Sequence, residues 1–211
     1  MRLPCFKTGI FTVSIGAVIA SSLLFIFNDD AYFFIMLLSV IIHELGHITA
    51  CMIFGSKVRE IYIGIAGAQI ETASKLSSYT SDAVTALSGP AAGLGAAATA
   101  LFIIKERIKL MPIGHAEELL IFFFLSNLFY AVVNLLPVKG LDGGNALYAL
   151  IALRCRLDTA ERIITISSFI SVFAIASVSL VLLKKFNFNY SLVILVFSLL
   201  FDLIPKKPFL H

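Results

Sequence analysis

The chain has 211 residues, of which 59% are apolar and 14% are charged, and its formal net charge is +3. Its mean hydropathy of +0.98 is too high for a soluble domain of this length, which needs more polar surface to cover a core. The composition therefore indicates a multi-spanning membrane protein. The positive charge is small and scattered, which gives no indication of nucleic-acid binding.

Six apolar segments are long enough, or nearly long enough, to cross a bilayer, because a spanning helix needs about 20 mostly apolar residues. The first, after Arg2 and Lys7, is longer than a usual signal-peptide core and lacks a clear cleavage site, so we expect a retained helix. We predict an all-α polytopic membrane protein with about six transmembrane helices. The predicted spans are residues 10–27, 31–54, 83–104, 117–136, 163–183 and the shorter 189–204.

The segment between the second and third spans has a different composition. Residues 60–71 are rich in β-branched residues and contain glycines at positions 64 and 67. This pattern predicts a short β-hairpin, which we place in the membrane interface. The edge of such a hairpin could pair with an extended peptide, or the hairpin could serve only as an amphipathic anchor, and both alternatives stay open.

The basic residues indicate the orientation of the spans. With six spans and the N-terminus inside, 11 of the 16 lysines and arginines fall in cytoplasmic segments and five on the opposite side. Since cytoplasmic loops carry an excess of Lys and Arg, we expect a multi-pass protein of the cell membrane with both N- and C-termini in the cytoplasm.

The second span contains the most informative motif, His43-Glu44-Leu45-Gly46-His47, which fits HExxH. On a helix, residues four apart lie on one face, so both imidazoles can bind one Zn²⁺ ion. Glu44 is placed to take a proton from water at the metal. Ionisable side chains near the middle of a bilayer cost about 2.5–3.5 kcal/mol each, and a bound metal ion would compensate for that cost. The alternative is an interhelical polar cluster or proton relay.

A catalytic zinc site usually has three protein ligands, so a further one is required. His115 lies in a predicted loop on the far side from His47, and His211 is the last residue, so both are poor candidates. Asp142 is better placed, because spans two and four run in the same direction and His47 and Asp142 both lie near the same end. Pro137 and the following glycines break the helix there, and irregular backbone at that depth is tolerated where it lines protein or water. Taken alone, Asp-Gly-Gly is more typical of an ordinary helix-ending turn with a solvated aspartate, so the ligand assignment depends on the HExxH motif.

Three sequence blocks together resemble the site-2 protease family of intramembrane metalloproteases. These are the HExxH motif within a span, Ser88-Gly89-Pro90-Ala91-Ala92-Gly93 at the start of the third span, and Asn134-x-x-Pro137-x-x-x-Leu141-Asp142-Gly143 after the fourth. The resemblance covers about residues 31–150, which we take as the catalytic core of a single domain, 1–211. Within the family, the chain looks closest to the bacterial sporulation branch, whose members process a membrane-tethered sigma-factor precursor.

The resemblance implies a role for each residue of these motifs. One zinc ion would be bound by His43, His47 and Asp142, Glu44 would be the general base, and Asn134 would hold substrate near the site. The expected partners are a membrane-tethered protein substrate and the lipid bilayer, with no nucleic acid. A regulatory membrane partner is compatible with this function.

Two other functions would use the same polar residues. A metal or proton transporter would need further ionisable residues along a span toward the opposite face, and the third and fifth spans are apolar or contain only Ser and Thr in their interiors. A silent membrane scaffold would have no need of Glu44. The small residues Gly89, Gly93 and Ala97, four apart, are assigned to close helix packing.

Overall fold

The structure is a computed structural model, and it describes residues 5–8, 11–14, 30–56, 58–64, 67–72, 78–108 and 114–185. Within these residues the chain is mostly helical. In chain order the elements are β1 (Cys5–Thr8), β2 (Phe11–Ser14), α1 (Asp30–Ile53), β3 (Val58–Gly64), β4 (Gly67–Thr72), α2 (Tyr79–Ile108), α3 (His115–Asn134), α4 (Asp142–Ala152) and α5 (Leu157–Lys185).

Four of the described helices are long and apolar enough to cross a membrane. They correspond to the second to fifth predicted spans, with somewhat different ends: Ala31–Ile53, Tyr79–Arg107, His115–Asn134 and Leu157–Val181. The sixth predicted span, residues 189–204, lies outside the described residues. The prediction of six spans is therefore corrected to four candidate spans within the described residues.

The first predicted span, residues 10–27, is wrong at its beginning, because residues 11–14 form the strand β2. The prediction counted apolar residues over the whole run and ignored the local sequence Phe-Thr-Val-Ser, which is typical of a strand. Residues 15–29 lie outside the described residues. The backbone groups of β2 are satisfied by pairing with strands on either side, so this segment does not need a helix.

The all-α prediction is also wrong, since the described residues include a four-stranded sheet in the order β1-β2-β3-β4. β1 pairs antiparallel with β2, and β2 pairs parallel with β3, with Phe11 opposite Ile61. β3 and β4 pair antiparallel with Gly64 opposite Gly67, in the segment for which the sequence predicts a hairpin. Its location in the membrane interface stays a prediction.

Helix α2 lies at the centre of the helical part and contacts α1, α3 and α4. Most of its buried positions are occupied by small residues, among them Ala83, Ala86, Ala97 and Ala100. Small side chains allow helix backbones to approach closely, which is the usual way that helices associate in a bilayer. α5 contacts α4, and Val172 in α5 packs against the buried Val138 in the loop between α3 and α4. This packing places α1, α2 and the α3–α4 loop around one site.

Candidate metal centre

His43 and His47 lie one turn apart in the mostly apolar helix α1, and both are buried. Their Nε2 atoms are 3.2 Å apart, and the two rings meet edge to face with centroids 4.9 Å apart. The helix period therefore brings the two nitrogens together, as the HExxH spacing predicts.

Asp142 reaches the histidines from a different part of the chain. It is the first residue of α4, and its Oδ2 atom lies 2.9 Å from His43 Nε2 and 3.2 Å from His47 Nε2. The preceding loop turns sharply at Gly140, whose φ of 98° is a left-handed conformation that L side chains rarely adopt. The structure thus brings together the three residues that the sequence proposes as zinc ligands.

The geometry of these three atoms fits a metal ion. Ligands placed about 2.0–2.1 Å from a tetrahedral zinc ion lie roughly 3.3 Å from one another. The three distances of 2.9, 3.2 and 3.2 Å are close to one face of that tetrahedron. The donor set, two imidazoles and one carboxylate, is typical of catalytic zinc sites that keep one position open. His43, His47 and Asp142 could therefore hold a metal ion.

The electrostatics of the site are consistent with an ionised Asp142. Burial opposes ionisation of this carboxyl, but its hydrogen bonds with His43 and His47 outweigh burial, so the pKa of Asp142 lies below its ordinary value. Glu44 is half-buried and close enough to interact electrostatically with both histidines and with Asp142. The site therefore combines three possible ligands with one further carboxylate beside them.

His47 is held in place by α2 through two contacts that the sequence did not indicate. Its Nδ1–H group donates to the backbone oxygen of Thr85 over 2.7 Å, which leaves the Nε2 lone pair directed at the candidate metal position. Gly89 lies directly against the His47 ring, since a Cβ added there would collide with Nε2. The pattern of small residues around Gly89 predicted close packing but gave no sign that its partner is a candidate ligand.

The loop before Asp142 is held by α5, also through contacts that sequence reasoning missed. The backbone N–H of Lys139 donates to Ser168 Oγ over 2.8 Å, and Ser167 Oγ donates to the Pro137 oxygen over 3.0 Å. Ser168 is completely buried. The only sequence signal is a pair of serines inside an apolar span, which by itself is common in membrane helices.

The other candidate residues lie in different surroundings. Asn134 is the last residue of α3 and donates from its amide to the Tyr130 backbone oxygen over 3.0 Å, while the Tyr130 ring packs edge-on against His43. Asn134 is thus one turn from a residue that contacts the site, and its role in holding substrate stays a prediction. His115 begins α3, is exposed and pairs with Glu118 at 3.6 Å, and His211 lies outside the described residues.

Two comparisons with known proteins indicate the family and the fold of the chain. The sequence model of peptidase family M50 matches residues 69–178. The fold is similar to that of the Site-2 Protease from Methanocaldococcus jannaschii, with a TM-score of 0.61 and 21% identity over 96% of this chain and 93% of that one. No curated protein matches the chain. Because the family model covers more than half of its length, the chain belongs to peptidase family M50, which implies a metalloprotease.

Proposed function

We propose that this protein is an intramembrane zinc metalloprotease that hydrolyses a peptide bond in a membrane-tethered or membrane-spanning protein. The convergence of His43, His47 and Asp142 beside Glu44, within an otherwise apolar helix bundle, is the observation that supports this most strongly. Membership of family M50, whose enzymes use zinc, supports the same chemistry. The fold, shared with a site-2 protease, is suited to cleavage within or beside a bilayer.

A zinc ion bound by the three residues would supply Lewis acidity, which lowers the pKa of water toward about 7 and stabilises charge on a carbonyl oxygen. Glu44 would take the proton from the attacking water as its oxygen bonds to the scissile carbonyl carbon. The same carboxyl would then give this proton to the leaving nitrogen as the C–N bond breaks. Glu44 is next to His43 in the helix, half-buried and close enough to interact electrostatically with all three candidate ligands, which is suitable for both transfers.

The substrate must reach the site with its backbone unfolded, because a helix shields its own carbonyl groups. β4 is the last strand in the sheet order, so one of its edges has no neighbouring strand among the described residues. Addition of a substrate strand to this edge would deliver an extended peptide, and we propose that role for β4 in preference to a simple interface anchor. Asn134 is proposed to hold the substrate close to the metal.

We propose that cleavage takes place near the cytoplasmic face, with both termini of the chain on that side. In the sequence, the segments between the second and third and between the fourth and fifth predicted spans hold more basic residues than the segments that follow the third and the fifth, which supports this orientation by the positive-inside rule. The former are Lys57, Arg59, Lys75, Lys139, Arg154, Arg156 and Arg162, and the latter Lys105, Arg107, Lys109, Lys184 and Lys185. Because the chain resembles the sporulation branch, a tethered sigma-factor precursor is the substrate to test first.

The decisive experiment replaces Glu44 with Gln, which keeps the size of the side chain and leaves all three candidate ligands in place. Zinc content should be unchanged, whereas cleavage of a co-expressed membrane-tethered substrate should fall by about 10²–10⁴-fold, the usual contribution of a general base. Glu118→Gln is the matched control, since Glu118 is exposed at the far end of α3. Cleavage by Glu44→Gln at the native rate would disprove this mechanism.

The alternative is a metal or proton transporter, and one observation favours it. Asn127 donates to Ser39 Oγ over 2.9 Å, so a buried polar pair continues one turn beyond His43. Neither residue is ionisable, however, and a pathway for ions or protons normally includes ionisable groups. Uptake of zinc or protons into proteoliposomes tests this function, and transport that persists in Glu44→Gln would favour it over proteolysis.

A further inference from the structure

Two buried polar atoms in the described part of the chain have no hydrogen-bond partner, and they are of complementary kinds. One is Nδ1 of His43 and the other is Oδ1 of Asn127. The two residues are only 2% and 1% exposed. A buried polar atom without a partner costs about 1–3 kcal/mol, so each of these two atoms requires a partner.

The two candidate histidine ligands differ in whether Nδ1 has a hydrogen-bond partner. His47 donates its Nδ1–H group to the Thr85 oxygen over 2.7 Å, which fixes the ring and its tautomer. Histidines that bind metal almost always donate from the second ring nitrogen to such an acceptor. His43 would carry its proton on Nδ1 when Nε2 binds a metal ion, and an acceptor for that proton is required.

The orientation of the Asn127 amide makes its oxygen available as that acceptor. Its Nδ2 group donates to the backbone oxygen of Phe123 and to Ser39 Oγ, both over 2.9 Å. A carbonyl oxygen can only accept, so the contact with Phe123 determines which end of the amide is nitrogen. The Asn127 oxygen is therefore directed away from both of these partners.

The neighbours of Asn127 place it beside His43. Ser39, which hydrogen-bonds Asn127, is one helical turn before His43 on the same face of α1. Tyr130, about one turn after Asn127 in α3, has its ring centroid 4.7 Å from that of His43. His43 thus lies opposite the stretch of α3 between Asn127 and Tyr130.

We propose that Asn127 is a positioning residue for His43: its side-chain oxygen accepts the hydrogen bond of the His43 Nδ1–H group through one buried water molecule. A water bridging two otherwise unsatisfied buried groups is nearly as favourable as a direct hydrogen bond. Asn127 would then fix the ring and the tautomer of His43, as the Thr85 oxygen does for His47. The inference rests on the proposed function in one respect only, that His43 binds zinc through Nε2.

The first test compares zinc affinity, measured by competition with a chelator, for Asn127→Leu and Asn127→Asp. Leu has no acceptor, so zinc affinity should fall by about 10–100-fold, the usual effect of losing an outer partner of a ligand. Asp keeps an acceptor oxygen and adds negative charge, so affinity should equal or exceed that of the native protein. A purely structural role for Asn127 would weaken zinc binding in both variants, and that outcome would overturn the proposal.

Ser39→Ala is the matched control, because it removes the hydroxyl that contacts Asn127 but leaves the Asn127 oxygen and its contact with Phe123. Zinc affinity should change by less than about threefold, since no partner of a ligand is removed. Thermal unfolding of the metal-free variants in detergent shows whether any loss of affinity merely follows a loss of stability. A fall in affinity with Ser39→Ala as large as with Asn127→Leu would contradict the assignment.

The second test observes the hydrogen bond itself and does not depend on catalysis. The chain has four histidines, so a ¹⁵N-histidine sample with His115→Gln and His211→Gln would show only His43 and His47. In the zinc-loaded protein, solvent exchange of both Nδ1–H protons should be slow. Asn127→Leu should accelerate exchange at His43 alone, with His47 as an internal reference.

The outcomes separate this inference from the proposed function. Unchanged zinc affinity and unchanged His43 exchange in Asn127→Leu would overturn the role of Asn127 and leave the protease proposal intact. Failure of the native protein to bind zinc would instead overturn the premise that His43 binds zinc, on which both the role of Asn127 and the protease proposal depend.

Discussion

The two sides of the candidate metal site are built in different ways. α1 supplies His43 and His47 from a continuous helix of 24 residues, in which the spacing of four residues alone brings the nitrogens together. The other side is a loop, residues 135–141, that places Asp142 at the start of α4. The loop depends on contacts with α5 and with its own following helix. Local helix geometry thus determines one side, and tertiary support determines the other.

The largest fall in zinc affinity should come from replacing Asp142, the ligand that the loop brings to the two histidines of α1. Asp142→Asn takes away the negative charge and weakens the ligand, so zinc affinity should fall by more than about 100-fold, beyond the range for outer partners. Cleavage should be lost with it. Metal content of the purified protein and competition with a chelator measure the effect. Asp158→Asn, an exposed aspartate in the first turn of α5, is the matched control. Normal zinc content in Asp142→Asn would remove Asp142 as a ligand.

A smaller fall in zinc affinity should come from a substitution that pushes the loop of residues 135–141 away from α4. A Cβ at Gly144 would collide with the backbone oxygen of Val138, which cannot move without displacing the loop. Gly144→Ala should therefore lower zinc affinity by about 10–100-fold, as loss of an outer support does.

Gly95→Ala is the control for this change, because a Cβ at Gly95 in α2 meets nothing within 4 Å. Replacing a helix glycine in open space should leave zinc binding unchanged and stabilise the helix by about 0.5–1 kcal/mol. Equal zinc affinity in the Gly144 and Gly95 variants would show that the loop does not depend on its contact with α4. Chelator competition measures the affinities, and thermal unfolding measures the stability.

The smallest fall in zinc affinity should come from removing a hydrogen bond between the same loop and α5. Ser168→Ala leaves the Lys139 N–H without its acceptor, which should lower the free energy of unfolding by about 0.5–1.5 kcal/mol, the usual net contribution of one hydrogen bond. Zinc affinity should fall several-fold, since Asp142 is held less firmly. Ser177→Ala is the control, because its hydroxyl is exposed and bonds only the Phe173 oxygen within α5. If zinc affinity does not change in Ser168→Ala, α5 stabilises the fold but does not position the ligand.

Several features of the molecule were predictable because they depend on local patterns. The length and apolarity of residues 31–54, 83–104, 117–136 and 163–183 predicted four helices that the structure contains. The HExxH spacing predicted the approach of His43 and His47. Asp142 could be selected because spans that run in the same direction end on the same side.

Other features depended on residues far apart in the sequence, and only the tertiary structure showed them. The strand pattern of β2 spans only four residues within a longer apolar run, and one of its two partner strands, β3, lies nearly fifty residues later. Thr85 and Ser168 contact the site through a backbone oxygen and a hydroxyl, whose partners are not encoded by any local spacing. The sequence alone determined that a helix presents two imidazoles and a carboxylate in an apolar span, since helix periodicity is a local property. Which groups orient those side chains was decided by how the helices pack, because hydrogen bonds between helices depend on non-local contacts.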